Sequence, residues 1–79
     1  MNLEQPEVYL PGREALGQNL KRLRLERGLS QQQVGDGLGI QRSTYAYMET
    51  GKVLPNALQV SVLADIFGVT ADAVLGRER

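Results

Sequence analysis

The chain contains no cysteine and no histidine, and its aromatic residues are one Phe and three Tyr among 79 residues. Without cysteine no disulfide can form. Without histidine or cysteine, the usual zinc sites and the common His- or Cys-based catalytic pairs are also absent. We therefore expect no metal, no cofactor and no enzymatic activity, and a core built from Leu, Val, Ile and Ala side chains.

Long apolar runs are missing as well. No stretch reaches about 18 apolar residues, the length typical of a membrane-spanning helix. Residues 1–7 are acidic and interrupted by Pro6, which is unlike a signal peptide. These absences predict a cytoplasmic protein with no membrane partner, and the length allows one small domain.

Charge of one sign does not dominate, because nine basic and nine acidic side chains cancel. The distribution along the chain is uneven, since residues 1–12 carry −2, residues 13–52 carry +3 and residues 53–79 carry −1. A polyanion would therefore meet one mildly basic face rather than a basic surface all round. Charge alone is too weak a signal to assign a partner.

The spacing of apolar residues predicts helices and no sheet, because no segment alternates with period two over more than a few residues. Pro6 and Pro11 predict an extended arm over residues 1–12. A helical domain is expected over residues 13–76, followed by a short tail over residues 77–79. Five short helices with glycine-marked ends are expected, and the predicted N-caps are Ser30, Asn56 and Thr70.

The stretch between Gln31 and Glu49 has the features of two helices that meet at a tight corner. Gly35 is small enough to let two backbones approach, and Gly39 can adopt the positive φ of a short turn. Gly37 lies in the same short helix, and the sequence offers no reason for it. Apolar residues suited to closing the corner are Val34, Leu38, Ile40, Tyr45 and Met48.

Residues 16–75 resemble the Cro/C1-type (XRE) helix-turn-helix family of phage repressors and bacterial regulators. The motifs that carry the resemblance are Leu23-Arg24-x-x-Arg27-Gly28-Leu29-Ser30-Gln31, Leu38-Gly39-Ile40, Arg42-Ser43-Thr44, Glu49-x-Gly51-Lys52-x-x-Pro55 and Leu63-Ala64-x-x-Phe67-Gly68-Val69. Tyr45 departs from the family, which usually has Ile or Val there, so we expect its hydroxyl to reach the edge of the corner.

The resemblance implies an all-α, compact five-helix bundle of the phage-repressor DNA-binding domain type, preceded here by the extended arm. It also implies sequence-specific binding of double-stranded DNA and regulation of transcription by repression. The third helix would be the recognition helix, which reads base edges in the major groove.

The resemblance further implies roles for individual residues. Arg24 and Glu49 would form a partly buried salt bridge between the first helix and the end of the recognition helix. Phosphate contacts would come from Gln31, Thr50 and Lys52, together with backbone amides that follow the recognition helix. Base contacts would come from Gln41, Arg42, Ser43, Ala46 and Tyr47.

A second apolar stripe on the fourth helix consists of Leu58, Val62 and Ile66. An exposed stripe of this kind requires a partner. The partner would be a second copy of the chain, giving a homodimer, or the chain's own Val8-Tyr9-Leu10 folded back. Two other functions stay open: an antitoxin that binds a toxin partner as well as operator DNA, and a protein-interaction module that lost DNA binding.

Overall fold

The computed structural model describes the backbone of residues 6–77 and the side chains of residues 12–77, and this part of the chain contains α-helices and no strand. The all-α prediction is therefore confirmed. The helices are α1 (Pro6–Glu26), α2 (Gln31–Leu38), α3 (Arg42–Thr50), α4 (Ala57–Phe67) and α5 (Ala71–Val74).

The N-terminal ends of three helices follow from local sequence. Ser30 and Asn56 each form a reciprocal capping box with the glutamine three residues later. The Thr70 hydroxyl accepts a hydrogen bond from the backbone N–H of Ala73 at the start of α5. The three predicted N-caps are therefore confirmed, because each short polar side chain satisfies a backbone donor that the helix itself leaves open.

The N-terminal arm differs from the prediction. α1 begins at Pro6 and continues through Gly12 without a break, so residues 6–12 are helical rather than extended. Pro6 occupies the first helical position, where the missing N–H of proline costs no hydrogen bond. Pro11 lacks the backbone N–H that an interior helical residue donates, but the helix continues past it. The prediction had assumed that the two prolines keep this segment extended. Residues 1–5 of the predicted arm lie outside the described residues.

The core is formed by buried side chains from all five helices, with α1 packed against α3 and α5, and α2 packed against α3 and α4. The Tyr45 ring is completely buried in it, so the expectation that the hydroxyl reaches an edge was wrong. That hydroxyl has no partner at hydrogen-bond geometry among the described residues, and burial, together with the nearby Glu49 carboxylate, raises the pKa of the phenol. The other fully buried large side chains are Leu20, Val34, Met48, Leu63, Phe67 and Val74.

α1 and α3 cross with their backbones in close contact at Gly17, which the sequence analysis did not single out. A Cβ atom at Gly17 would overlap the carbonyl oxygen of Glu49 and lie 2.8 Å from that of Met48. A second close approach joins the two helices nearby, because a Cβ atom at Gly51 would lie 3.0 Å from the Arg13 carbonyl oxygen. The position of α3 is therefore set by backbone surfaces, which cannot rearrange as a side chain can.

Gly37, for which the sequence offers no reason, lies opposite the movable end of the Ile66 side chain on α4. A Cβ atom at Gly37 would lie 2.7 Å from Cδ1 of Ile66. The glycine therefore leaves room for the Ile66 side chain, which packs against the core from α4.

α5 is joined to α1 through Asn19, another residue that the sequence analysis did not identify. Its Nδ2 donates to the carbonyl oxygens of Ala73 and Val74, at 2.7 and 2.8 Å. Its Oδ1 accepts from Nη2 of Arg22 at 2.6 Å. One amide side chain therefore attaches the last helix to the first.

Candidate nucleic-acid interface

The loop between α2 and α3 fixes the angle at which α3 leaves the domain. Gly39 has φ of 73°, and its N–H donates to the Asp36 carbonyl oxygen. The N–H of Ile40 donates to the carbonyl oxygen of Gly35 at 2.9 Å. A Cβ atom at Gly35 would lie only 3.4 Å from Cα of Arg42, so this small residue lets the start of α3 lie directly against α2.

α3 divides into a buried face and an outward face. Tyr45, Met48 and Glu49 are buried. The five residues for which base contacts were predicted lie on the other side, where four are exposed and Ala46 is half-buried. The exposed four are Gln41, Arg42, Ser43 and Tyr47.

Arg24 and Glu49 form an ion pair between α1 and the C-terminal half of α3, as the resemblance implied. Nε of Arg24 donates to Oε2 of Glu49 at 2.6 Å, and Nη2 donates to Oε1 at 3.2 Å. The two side chains are 10% and 3% exposed, respectively. Nη1 of Arg24 also donates to the carbonyl oxygen of Leu29, so the same guanidinium holds the loop that leads into α2.

The ion pair changes the titration of both partners. Burial alone would raise the pKa of Glu49, but hydrogen bonds from Arg24 and Gln31 outweigh it, and the pKa is lowered. The hydrogen bond to Glu49 raises the pKa of Arg24. Both groups are therefore charged at neutral pH. The positive charge of Arg24 balances the negative charge of Glu49, so the buried carboxylate does not reduce the positive charge of the outward face.

Gln31 links this buried pair to the outward face of α3. Its Nε2 donates to Oε1 of Glu49 at 3.0 Å, and its Oε1 accepts from Nη1 of Arg42 at 3.2 Å. The exposed Arg42 guanidinium is thus connected through Gln31 and Glu49 to Arg24 on α1. The sequence indicates only a phosphate contact for Gln31 and not this role, because residues 11 positions apart are brought together only by the corner.

The C-terminal end of α3 corrects part of the phosphate prediction. The backbone N–H groups of Gly51, Lys52 and Val53 all donate to carbonyl oxygens of α3, so they close the helix instead of facing a ligand. The Thr50 hydroxyl likewise donates to the Tyr47 carbonyl oxygen. The Lys52 ammonium is exposed and lies 4.9 Å from the centroid of the Tyr47 ring, a cation–π contact.

The apolar stripe expected on α4 is interrupted in the structure. Leu58 is 75% exposed, whereas Val62 and Ile66 are half-buried. Ile66 lies over Gly37 and belongs to the packing within the domain. The alternative occupant, Val8-Tyr9-Leu10, has side chains that lie outside the described ones.

Two other classes of site are absent from the described residues. No group of three His, Cys, Asp or Glu side chains there could hold a metal ion. None of the helices described is both long enough and apolar enough to span a bilayer.

Comparison with known proteins matches most of the chain to one family. The model of the family described as "Helix-turn-helix domain" matches residues 15–75. No solved structure matches the chain at a significant level.

Three curated proteins illustrate the relationship. The HTH-type transcriptional regulator AnsR of Bacillus subtilis is 43% identical over 60 residues, which cover 76% of this chain and 52% of AnsR. The SPbeta prophage-derived uncharacterized HTH-type transcriptional regulator YonR, also of B. subtilis, is 41% identical over 59 residues, covering 75% of this chain and 55% of YonR.

The third relative is the cryptic phage CTXphi transcriptional repressor RstR of Vibrio cholerae. It is 38% identical over 50 residues, which cover 63% of this chain and 45% of RstR. The chain thus spans about half the length of these curated relatives.

Proposed function

Because the chain belongs to the helix-turn-helix domain family, we propose that it binds double-stranded DNA in a sequence-specific manner and regulates transcription as a repressor. The observation that carries this proposal is the outward face of α3, where Gln41, Arg42, Ser43 and Tyr47 are exposed together. The opposite face of the same helix is buried, so α3 is held rigidly while this face is free to enter a major groove.

Base reading is proposed for five residues of α3 and its N-cap. The Arg42 guanidinium can donate to O6 and N7 of guanine, because the bond to Gln31 occupies only one of its five N–H groups. Ser43 can bond to several bases, and Gln41 can contact adenine or a phosphate. Ala46 and the Tyr47 ring suit a thymine methyl group.

Phosphate binding is proposed for Gln31, Thr50 and Lys52. Gln31 is the first residue of α2, where the positive end of the helix dipole favours an anion. The Lys52 ammonium is exposed next to Tyr47 and can move onto a phosphate without leaving the edge of α3. The Thr50 hydroxyl would first have to exchange its bond to the Tyr47 carbonyl oxygen.

Replacing Arg42 with alanine is expected to weaken binding to the preferred duplex by about 1–3 kcal/mol and to relax the choice at one base pair, because a bidentate guanine contact is lost. The preferred duplex is first selected from a random library, and affinity is then measured by fluorescence anisotropy at several salt concentrations. Affinity of the parent protein should fall steeply with salt, since phosphate contacts release counterions.

The matched control is Arg27→Ala, which removes the same charge from a side chain that lies against Gly68, away from α3. It should keep the sequence preference of the parent. An Arg42→Ala protein with an unchanged binding profile would remove Arg42 from the set of base-reading residues. A parent protein with no preference among duplexes would overturn the proposed function itself.

We also propose a homodimer that places two copies of α3 about 34 Å apart, one turn of DNA, on a palindromic site. The support is the 75% exposure of Leu58 on α4, which would be buried against the partner. Leu58→Glu should shift the protein toward monomer in sedimentation experiments, whereas Leu25→Glu, at another exposed leucine on α1, should not. A parent protein that stays monomeric at high concentration contradicts the dimer.

A further inference from the structure

A groove on the domain is formed by α1, the loop before α4 and the end of α5, and the proposed DNA contacts do not use it. We call it the α1–α5 groove. It has a volume of about 270 Å³. Its lining residues are Gly12, Arg13, Leu16, Leu54, Leu75 and Arg77.

The floor of the α1–α5 groove is apolar and accessible to solvent. Leu54 is 48% exposed and Leu75 is 41% exposed, while Leu16 is half-buried between them and the core. Gly12 leaves open space at the α1 side, since a Cβ atom there would meet nothing within 4 Å. Three leucines around an open groove provide a place where an apolar side chain would lose its contact with water.

The two cations that line the α1–α5 groove have no acidic partner in the described part of the chain. The ion pairs found there are Arg22–Glu26 and Arg24–Glu49, and neither includes Arg13 or Arg77. Both arginines are exposed. The groove therefore combines an apolar floor with two guanidinium groups, each of which can bind a carboxylate through two hydrogen bonds.

We propose that the α1–α5 groove binds an acidic peptide segment of a protein partner. A leucine-like side chain of the peptide lies on the floor formed by Leu16, Leu54 and Leu75, and flanking carboxylates bind Arg13 and Arg77. Arg13 and Arg77 could also bind phosphates, but the three leucines of the floor give a DNA backbone nothing to bind, so the combination favours a peptide over a nucleic acid. A second copy packed groove to groove about a two-fold axis would bring four arginines together, which disfavours a dimer through this surface.

The test titrates the ¹⁵N-labelled full chain with two synthetic peptides and follows the amide resonances. One peptide is acetyl-Asp-Glu-Leu-Leu-Asp-Glu-amide, and the other carries Asn and Gln in place of Asp and Glu. We expect saturable shifts at Arg13, Leu16, Leu54 and Leu75 with the acidic peptide. The neutral peptide should bind at least about fivefold more weakly, as should the acidic peptide to Arg77→Glu, because exposed ion pairs have modest energies.

The matched control for charge is Lys21→Glu, which makes the same change at an exposed α1 residue outside the groove and should leave the affinity within about twofold. Leu75→Ser tests the floor and should also weaken binding. Equal affinity for the two peptides, shifts centred on Arg42 and Ser43 instead of the groove, or no saturation at millimolar peptide would overturn the proposal. Self-association that Leu75→Ser abolishes would instead identify the occupant as a second copy.

Discussion

Arg24→Ala is expected to lower the free energy of unfolding by about 3 kcal/mol or more, as removal of one partner from a buried ion pair usually does. The loss is large because the Glu49 side chain, which is 3% exposed, would keep its charge without its main partner. The guanidinium bond to the Leu29 carbonyl oxygen would also be lost. Denaturant unfolding monitored by circular dichroism measures the difference.

Arg22→Ala is the control, because it removes the same side chain from the same helix. Arg22 pairs with Glu26 at 2.9 Å and donates to Oδ1 of Asn19 at 2.6 Å, but these contacts are exposed, so its loss should cost no more than about 1 kcal/mol. The double variant Arg24→Ala/Glu49→Ala should be more stable than the sum of the single changes predicts, since no charge is then stranded. Equal stabilities of Arg24→Ala and Arg22→Ala would reject the structural role of the pair.

The pH dependence of stability tests the Arg24–Glu49 ion pair independently. The pKa of Glu49 is lowered by folding from its ordinary value of 4.5, so this group stabilises the parent above that value and less as the pH falls through the folded pKa. In Arg24→Ala, burial dominates and should raise the pKa of Glu49, so protonation relieves the stranded charge. The stability gap between the two proteins should therefore narrow from pH 7 toward pH 4, while the gap for Arg22→Ala, which is no more than about 1 kcal/mol throughout, can change only slightly.

Gly17→Ala is expected to destabilise the protein by about 2 kcal/mol or more, even though alanine is the better helix former. The added methyl group would overlap the carbonyl oxygen of Glu49 and lie 2.7 Å from its carbonyl carbon. Backbone atoms cannot turn aside, so α1 and α3 must separate. Because α3 carries the proposed base contacts, DNA affinity should fall together with stability.

Gly12→Ala makes the same change in the same helix with the opposite expectation. A Cβ atom at Gly12 meets nothing within 4 Å, so this variant should gain about 0.5–1 kcal/mol from helix propensity alone. Thermal and denaturant unfolding of the two variants and of the parent protein measure these differences in the free energy of unfolding. If both alanines stabilise the protein equally, the close crossing of α1 and α3 at Gly17 does not exist in solution.

The sequence predicted the helices from α2 onward well, because their limits depend on signals only a few residues apart. The spacing of Ser30 and Gln33 is itself the capping box, and the same holds for Asn56 and Gln59. α1 was predicted less well. Pro11 is a strong local signal against a helix, but the observed helix continues through it.

Part of the face that the candidate site presents was also predictable, since periodicity along α3 separates Tyr45 and Met48 from Ser43 and Tyr47. Arg42 lies three residues before Tyr45 and is exposed because it begins the helix. The bonds within the site were not predictable. Gln31, Glu49 and Arg42 lie on two helices, and their contacts depend on the angle at the corner. The spacing of residues along the chain does not specify that angle, because it depends on how the surrounding side chains pack.

The amino-acid sequence by itself determined the helical class, the capped ends of α2, α4 and α5, the corner at Gly39 and the outward residues of α3, because each rests on local geometry. Only the tertiary structure decided why Gly17 is a glycine, how Gln31 joins the buried ion pair to Arg42, and which apolar side chains stay exposed. Those features depend on atoms from distant parts of the chain meeting at van der Waals distance, and close packing leaves no local signal from which to derive them.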